Sequence, residues 1–127
     1  MTISLKVMIV DDVTITRKAL RNILVESCHV DSSYIVEAVD GEEAIFMYKQ
    51  CDPDVVFLDI TMPDLDGKTV VKELIKIDPE AKIIMYTGSG DKMDVVECIR
   101  AGAKDYVRKP PDIDRVQRAL KKIIFEI

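Results

Sequence analysis

The sequence of 127 residues has few of the side chains that many catalytic and metal sites need. His29 is its only histidine, which leaves little for a histidine-rich metal site or a histidine-based catalytic triad. Cys28, Cys51 and Cys98 form an odd set without a CxxC spacing. That pattern is typical of small core or surface residues in a reducing compartment.

Membrane and export signals are also missing. No apolar run approaches about 18 residues, and the N-terminus lacks the apolar segment of a signal peptide. The sequence therefore predicts a cytoplasmic protein that makes no membrane contact.

The net charge of −5 argues against general nucleic-acid binding, which normally needs a basic excess. The charge is uneven, because residues 100–127 carry eight basic and four acidic side chains. This basic segment is either a solvated helix face or a docking surface for an acidic partner.

Apolar runs typical of strands alternate with helical periods along the whole chain. Strands are expected at residues 5–10, 34–39, 55–58, 82–87 and 105–108. The face of the first helix is expected to comprise Ile15, Ala19, Leu20, Ile23 and Leu24. Strict alternation predicts an α/β fold: a (βα)5, flavodoxin-like three-layer sandwich with a five-stranded parallel sheet in the order 2-1-3-4-5. The length suits one domain over residues 1–127.

The most informative segment is an apolar run at residues 55–58 that continues directly into Asp59. The first strand likewise runs into Asp11 and Asp12. Ligands of open α/β sheets bind at the carboxyl ends of the strands, at the switch point between strands one and three. The sequence therefore predicts three carboxylates in one crevice.

Carboxylates about 4 Å apart repel by roughly 4 kcal/mol per pair at an effective dielectric near 20. A bound cation relieves this repulsion, and a site with only oxygen ligands favours Mg²⁺. A carboxylate beside such an ion can attack a phosphoryl group and form an aspartyl phosphate. The simpler alternative is a set of surface acids that cap loops and helices, with Asp12 as a helix cap.

Two further strand ends supply groups that this chemistry needs. Thr87 ends the fourth strand with a hydroxyl that could bind a phosphoryl oxygen, and Gly88 leaves space beside it. Lys109 ends the fifth strand with a cation that could pair with Asp59 and later with a phosphoryl group.

Together these motifs resemble the receiver domain of two-component response regulators over essentially the whole chain. The resemblance rests on residues 8–12, 57–63, 66–67, 87–88 and 105–110. It implies that Asp59 accepts phosphate from a phosphohistidine on a sensor histidine kinase or a histidine phosphotransfer protein. A receiver of this kind is not an enzyme beyond catalysing its own Mg²⁺-dependent phosphorylation and dephosphorylation.

The resemblance also implies a role for each remaining residue of the site. Mg²⁺ would be held by Asp12 and Asp59 directly, by Asp11 through water, and by the backbone carbonyl of Thr61. Thr87 and Lys109 would bind the phosphoryl oxygens. Tyr106 would be the switch aromatic that remodels the face of helix four, strand five and helix five; without the family, it would be a half-buried residue on an edge strand.

Some positions depart from the family or vary within it. Pro111 stands where an aromatic is frequent, which could stiffen the entry to the last helix. Thr61 and Ser89 occupy positions that tune how water reaches the acyl phosphate. Family members often have a cis peptide at the position of Lys109-Pro110.

Four other functions are alternatives to the receiver. A calcium-binding EF-hand loop fits Asp64, Asp66, Gly67 and Glu73, but its first ligand would be Met62. A flavin-binding flavodoxin would need a hydroxyl- and glycine-rich loop after strand one. An aspartyl phosphatase usually has a second acid where this chain has Thr61, and a pseudo-receiver would not need the intact site.

The chain resembles a stand-alone regulator, and its target is open. One hypothesis is a chemotaxis-type messenger that binds a flagellar motor switch component when phosphorylated. A second is a phosphorelay intermediate, and a third is a receiver cut from a larger, transcriptional regulator. The protein is expected to be a monomer, and the third hypothesis adds a dimer on phosphorylation.

Overall fold

Five apolar runs form one parallel sheet in the order β2-β1-β3-β4-β5. The computed structural model describes residues 2–88 and 92–126. The strands are β1 (Val7–Val10), β2 (Ile35–Ala38), β3 (Val55–Asp59), β4 (Ile83–Thr87) and β5 (Asp105–Arg108). The helices are α1 (Thr14–Glu26), α2 (Gly41–Cys51), α3 (Gly67–Ile77), α4 (Lys92–Ala101) and α5 (Ile113–Glu126). The predicted strand number, strand order and alternation with helices are confirmed.

The sheet separates two apolar layers. On one face, α1 and α5 pack Leu20, Leu24 and Val116 against the sheet. On the other, α2, α3 and α4 contribute residues such as Ala44 and Val70. Strands β1 and β3 are buried along their whole length, which is why their sequences are continuous apolar runs rather than alternating ones.

Local sequence signals account for several helix boundaries. The spacing of Asp40 and Glu43 is typical of a capping box, and the side chain of Asp40 accepts a hydrogen bond from the Glu43 amide at 2.8 Å. The helix α3 ends at Ile77, directly before Asp78. Gly102 has φ +132° after α4, a backbone conformation that favours glycine. From the sequence, the fourth helix is expected to begin at about Asp91, and this residue lies outside the described residues.

The predicted inward face of α1 is wrong at its first turn. Ile15 is 79% exposed, whereas Leu20 and Leu24 are buried as expected. The first turn lies beside the polar end of β1, and there Thr16 and Arg17 make the inward contacts, through hydrogen bonds to Asp11.

Strand register sets the position of the site. Val10 pairs with Leu58, so β1 and β3 end side by side. Asp59 pairs with Tyr86 on β4, and Thr87 pairs with Arg108 on β5. The ends of four neighbouring strands therefore meet at one edge of the sheet, where the predicted functional residues are found.

Candidate functional site

The crevice at this edge contains the three predicted carboxylates. One oxygen from each of Asp11, Asp12 and Asp59 lies within 4.8 Å of the others. Asp11 and Asp59 are buried, and Asp12 is exposed at the rim. Asp12 does not cap α1, whose N-cap residue is Val13. The acids thus form one cluster rather than a set of separate helix caps.

Lys109 places a cation inside this cluster. Its ammonium Nζ lies 3.2 Å from Asp59 Oδ2 and 3.3 Å from Asp11 Oδ2. Its side chain is only 17% exposed, so water screens these ion pairs weakly. The pairing with Asp59 follows the sequence-based expectation, whereas the sharing of Lys109 with Asp11 was not foreseen. The peptide bond between Lys109 and Pro110 is cis, as expected.

The environment of Asp59 disfavours its charged form. Burial raises the pKa of the Asp59 carboxyl, and the charge of Asp11 raises it further. The Lys109 ammonium and the Thr61 amide, which donates to Asp59 Oδ1 at 3.3 Å, oppose this rise without cancelling it. Asp59 is therefore a carboxylate that gains from an additional positive charge.

The loop after β1 and the start of α1 hold Asp11 from several sides. The Val13 amide donates to Asp11 Oδ1 at 2.9 Å, and the Thr16 hydroxyl donates to Asp11 Oδ2. Arg17 donates to the backbone carbonyl of Asp11 at 2.7 Å and pairs with Glu37 on β2. Sequence reasoning missed these supports because they depend on the rotation of α1 about its axis.

The remaining predicted residues lie at the same edge. Thr87 is buried at the end of β4, and its hydroxyl donates to the Gly88 carbonyl at 3.0 Å. Thr61 follows β3 and has an exposed side chain. Ser89, the other residue expected to affect hydrolysis, lies outside the described residues.

Tyr106 is 40% exposed on the edge strand β5. A cavity of about 300 Å³ is lined by both Tyr106 and Thr87, and also by Val95 and Val96. A space of this size beside a buried threonine is large enough to receive an aromatic ring. The half-buried position on an edge strand, one of the two expectations for Tyr106, describes this structure.

Arg115 on α5 links Tyr106 to the preceding residue. Its guanidinium carbon lies 5.4 Å from the centre of the Tyr106 ring. The same group donates to both carboxylate oxygens of Asp105, at 2.6 and 3.3 Å. Burial raises the pKa of Asp105, but hydrogen bonds from Arg115 and from the Tyr106 amide outweigh it and leave the pKa below its usual value.

The donor set of the crevice fits a hard divalent cation. Asp11, Asp12 and Asp59 offer only carboxylate oxygens, and no histidine or cysteine joins them among the described residues. Three carboxylates cannot complete an octahedron, so an ion there would keep open positions for water or phosphate oxygens. The arrangement matches Mg²⁺ better than zinc or copper.

Two acids of the alternative calcium-binding loop, Asp64 and Asp66, accept hydrogen bonds from backbone amides at the starts of helices. Asp64 accepts hydrogen bonds from the Gly41 and Glu42 amides, both at 2.9 Å, at the start of α2. Asp66 caps α3 by accepting from the Thr69 amide at 2.8 Å. These carboxylates neutralise helix N-termini and do not converge on one point.

Comparisons with known proteins agree with this geometry. A family model described as the response regulator receiver domain matches residues 7–121. The chemotaxis protein CheY of Thermotoga maritima is 42% identical over 118 residues, covering 93% of this chain and 96% of that protein. The chemotaxis protein CheY of Bacillus subtilis is 40% identical over 119 residues, covering 94% and 97%. The chain belongs to the response regulator receiver domain family.

A solved structure extends the comparison to the fold. The CheX–CheY complex with BeF3 and Mg²⁺ from Borrelia burgdorferi superposes with a TM-score of 0.84 at 37% identity, covering 93% of this chain and 87% of that one. Family and fold together define a phospho-accepting signalling domain of two-component type rather than an enzyme in the usual sense. No helix in residues 2–88 and 92–126 is long and apolar enough to span a membrane.

Proposed function

We propose that Asp59 accepts a phosphoryl group in a Mg²⁺-dependent reaction and thereby switches a receiver domain formed by residues 1–127. The observation that carries this proposal is the contact of one ammonium group, Lys109 Nζ, with two buried carboxylates of a three-acid cluster. A buried nucleophile of this kind, next to a cation and to open coordination positions, is suited to phosphoryl transfer.

In the proposed step, a carboxylate oxygen of Asp59 attacks phosphorus of a phosphohistidine on a kinase or phosphotransfer protein. The new O–P bond forms as the P–N bond breaks, and the imidazole leaves with the electron pair. Lys109 and Thr87 bind the transferred oxygens. Mg²⁺ would be held by Asp12 and Asp59 directly, by Asp11 through water and by the Thr61 carbonyl, and it would supply positive charge for the transferred phosphoryl oxygens. Attack of water on phosphorus later releases phosphate and restores the carboxylate.

The output of the switch is proposed to be of chemotaxis type, because the two curated relatives described above are chemotaxis proteins. In this proposal, Thr87 moves toward the phosphoryl group. The Tyr106 ring then turns into the cavity that Thr87 and Tyr106 both line. This changes the surface of α4, β5 and α5, where most of the basic segment lies. An acidic site on a flagellar motor switch component would complement that surface.

Intact mass after incubation with acetyl phosphate tests the acceptor. The wild type should gain one phosphoryl group only when Mg²⁺ is present, and Asp59→Asn should gain none. Asp52→Asn is the matched control, since Asp52 is exposed, has φ +47°, which asparagine tolerates, and lies outside the crevice. Phosphorylation of Asp59→Asn, or a gain without Mg²⁺, would contradict the proposal.

A further inference from the structure

Tyr86 is the bulkiest of the fully buried side chains that the structure describes, and it lies directly beside the ammonium group of Lys109. Lys109 Nζ is 4.9 Å from the centre of the Tyr86 ring. A cation within about 6 Å of an aromatic face is attracted by the negative charge density of the ring. The aromatic ring is therefore a third attractive neighbour of the ammonium group, besides the two carboxylates.

The backbone and the hydroxyl group of Tyr86 both make contacts that hold this residue in place. Strand β4 pairs Tyr86 with Asp59 on β3 and with Val107 on β5. The Tyr86 hydroxyl donates to the Thr16 carbonyl at 3.4 Å, and the Thr16 hydroxyl in turn donates to Asp11. The ring is thus part of the framework that holds the acids.

The Lys109 side chain has more conformational freedom than the carboxylates of the site, so an additional attractive neighbour has a larger effect on its position. Its ammonium is carried on a flexible chain of four carbons, and holding that chain in one conformation costs conformational entropy. Its side chain retains 17% exposure, so water is an available alternative to the crevice. The favourable face of Tyr86 shifts this balance toward the crevice.

We propose that Tyr86 is a positioning residue for phosphoryl transfer, whose ring holds the Lys109 ammonium where incoming phosphoryl oxygens will bind. The inference rests on the proposed function, because Lys109 acts on the phosphoryl group in that scheme. Packing alone does not require an aromatic residue, since an aliphatic side chain on the same strand would also fill the apolar layer without attracting a cation.

Two substitutions distinguish the contribution of the Tyr86 ring from that of the Tyr86 hydroxyl group. Tyr86→Phe keeps the ring, and its rate of phosphorylation by acetyl phosphate at saturating Mg²⁺ should stay within about twofold of the wild type. Tyr86→Leu removes the ring and should slow the reaction by about threefold to tenfold. A rate for Tyr86→Leu equal to that of Tyr86→Phe would overturn the inference.

The dissociation constant of Mg²⁺, measured without phosphate donor, distinguishes positioning from general loosening of the crevice. Lys109 competes with Mg²⁺ for Asp11 and Asp59, so Tyr86→Leu should bind Mg²⁺ as tightly as the wild type or more tightly. A merely structural role for Tyr86 predicts weaker Mg²⁺ binding together with slower phosphorylation, and that combination would count against positioning.

A double mutant tests whether Tyr86 acts through Lys109. In the Lys109→Met background, Tyr86→Leu should have little further effect on the rate, because the group it positions is gone. An undiminished effect there would refute the proposed route. If Tyr86→Leu fails to fold, trifluorophenylalanine at position 86 weakens the ring's attraction with little change of volume, and a rate equal to that of Tyr86→Phe would refute the inference.

Phosphorylation of the wild-type protein distinguishes a failure of this inference from a failure of the proposed function. A wild-type protein that gains no phosphoryl group refutes the proposed function and the inference with it. A wild-type protein that is phosphorylated normally, with rates insensitive to the ring at position 86, refutes the inference alone.

Discussion

Replacing Lys109 with methionine should destabilise the fold in a way that depends on Mg²⁺. The substitution keeps an unbranched apolar stem and removes the ammonium group, which lies 3.2 Å from Asp59 and 3.3 Å from Asp11. Two buried carboxylates are then left without the cation between them. The repulsion between them is no longer offset, so the free energy of the folded state rises and the free energy of unfolding falls.

The geometry of the crevice sets the size of the effect. The oxygens of the acid cluster lie within 4.8 Å of one another. Two unit charges at that distance repel by about 3.5 kcal/mol at an effective dielectric near 20. Partial exposure of the crevice and proton uptake reduce this figure, so we expect Lys109→Met to lower the free energy of unfolding by about 1–3 kcal/mol at neutral pH.

Urea denaturation, with and without Mg²⁺, is the assay. Free Mg²⁺ at ten times its dissociation constant stabilises a protein by about 1.4 kcal/mol. Because Lys109→Met lacks the competing ammonium, it should gain more stability from Mg²⁺ than the wild type does. The difference in the free energy of unfolding between the two proteins should therefore shrink when Mg²⁺ is added. It should also shrink on acidification, since Asp59, whose pKa is already raised by burial, then takes up a proton. Lys18→Met, on the exposed surface of α1, is the control. Equal losses in the two variants, or a difference indifferent to Mg²⁺, would refute the reasoning.

Four other substitutions test the structure around the crevice and on β5 by urea denaturation. Gly67→Ala should cost about 1–3 kcal/mol, because its Cβ would lie 2.8 Å from the backbone Cα of Ile60. Gly88→Ala, whose Cβ would meet no described atom within 4 Å, should leave the midpoint unchanged. Asp64→Ala should lower the urea midpoint, since two amide hydrogen bonds at the start of α2 are lost. The lowered pKa of Asp105 stabilises the fold at neutral pH, and this is lost as the pH falls through that pKa, so wild type and Asp105→Asn should converge in acid. A constant difference between them across the pH range would contradict this.

The features that were predictable from sequence are those that local pattern determines. Continuous apolar runs indicated the parallel strands, and the acids directly after the first and third runs indicated the crevice. Strand order then brought Asp11 and Asp59 together without any knowledge of side-chain conformation. The position of Lys109 followed in the same way, because it ends the strand next to β4.

The contacts that sequence reasoning missed connect side chains from distant parts of the chain. Tyr86 was recognisable only as part of an apolar strand, although its ring lies against Lys109. The inward turn of Arg17, and the exposure of Ile15 that accompanies it, depend on how α1 rotates to reach Asp11. Helical periodicity could not show this, because at that turn hydrogen bonds to a polar strand end outweigh the burial of one isoleucine.

The charges gathered in the crevice have a consequence for which ions it accepts. Three carboxylates and one ammonium leave a formal charge of minus two. One divalent cation makes the crevice electrically neutral, whereas a single sodium or potassium ion leaves it negative. Calcium carries the same charge as magnesium and satisfies this condition equally well. Electroneutrality therefore selects the valence of the ion but not its identity, and discrimination between the two falls to ionic radius and coordination number.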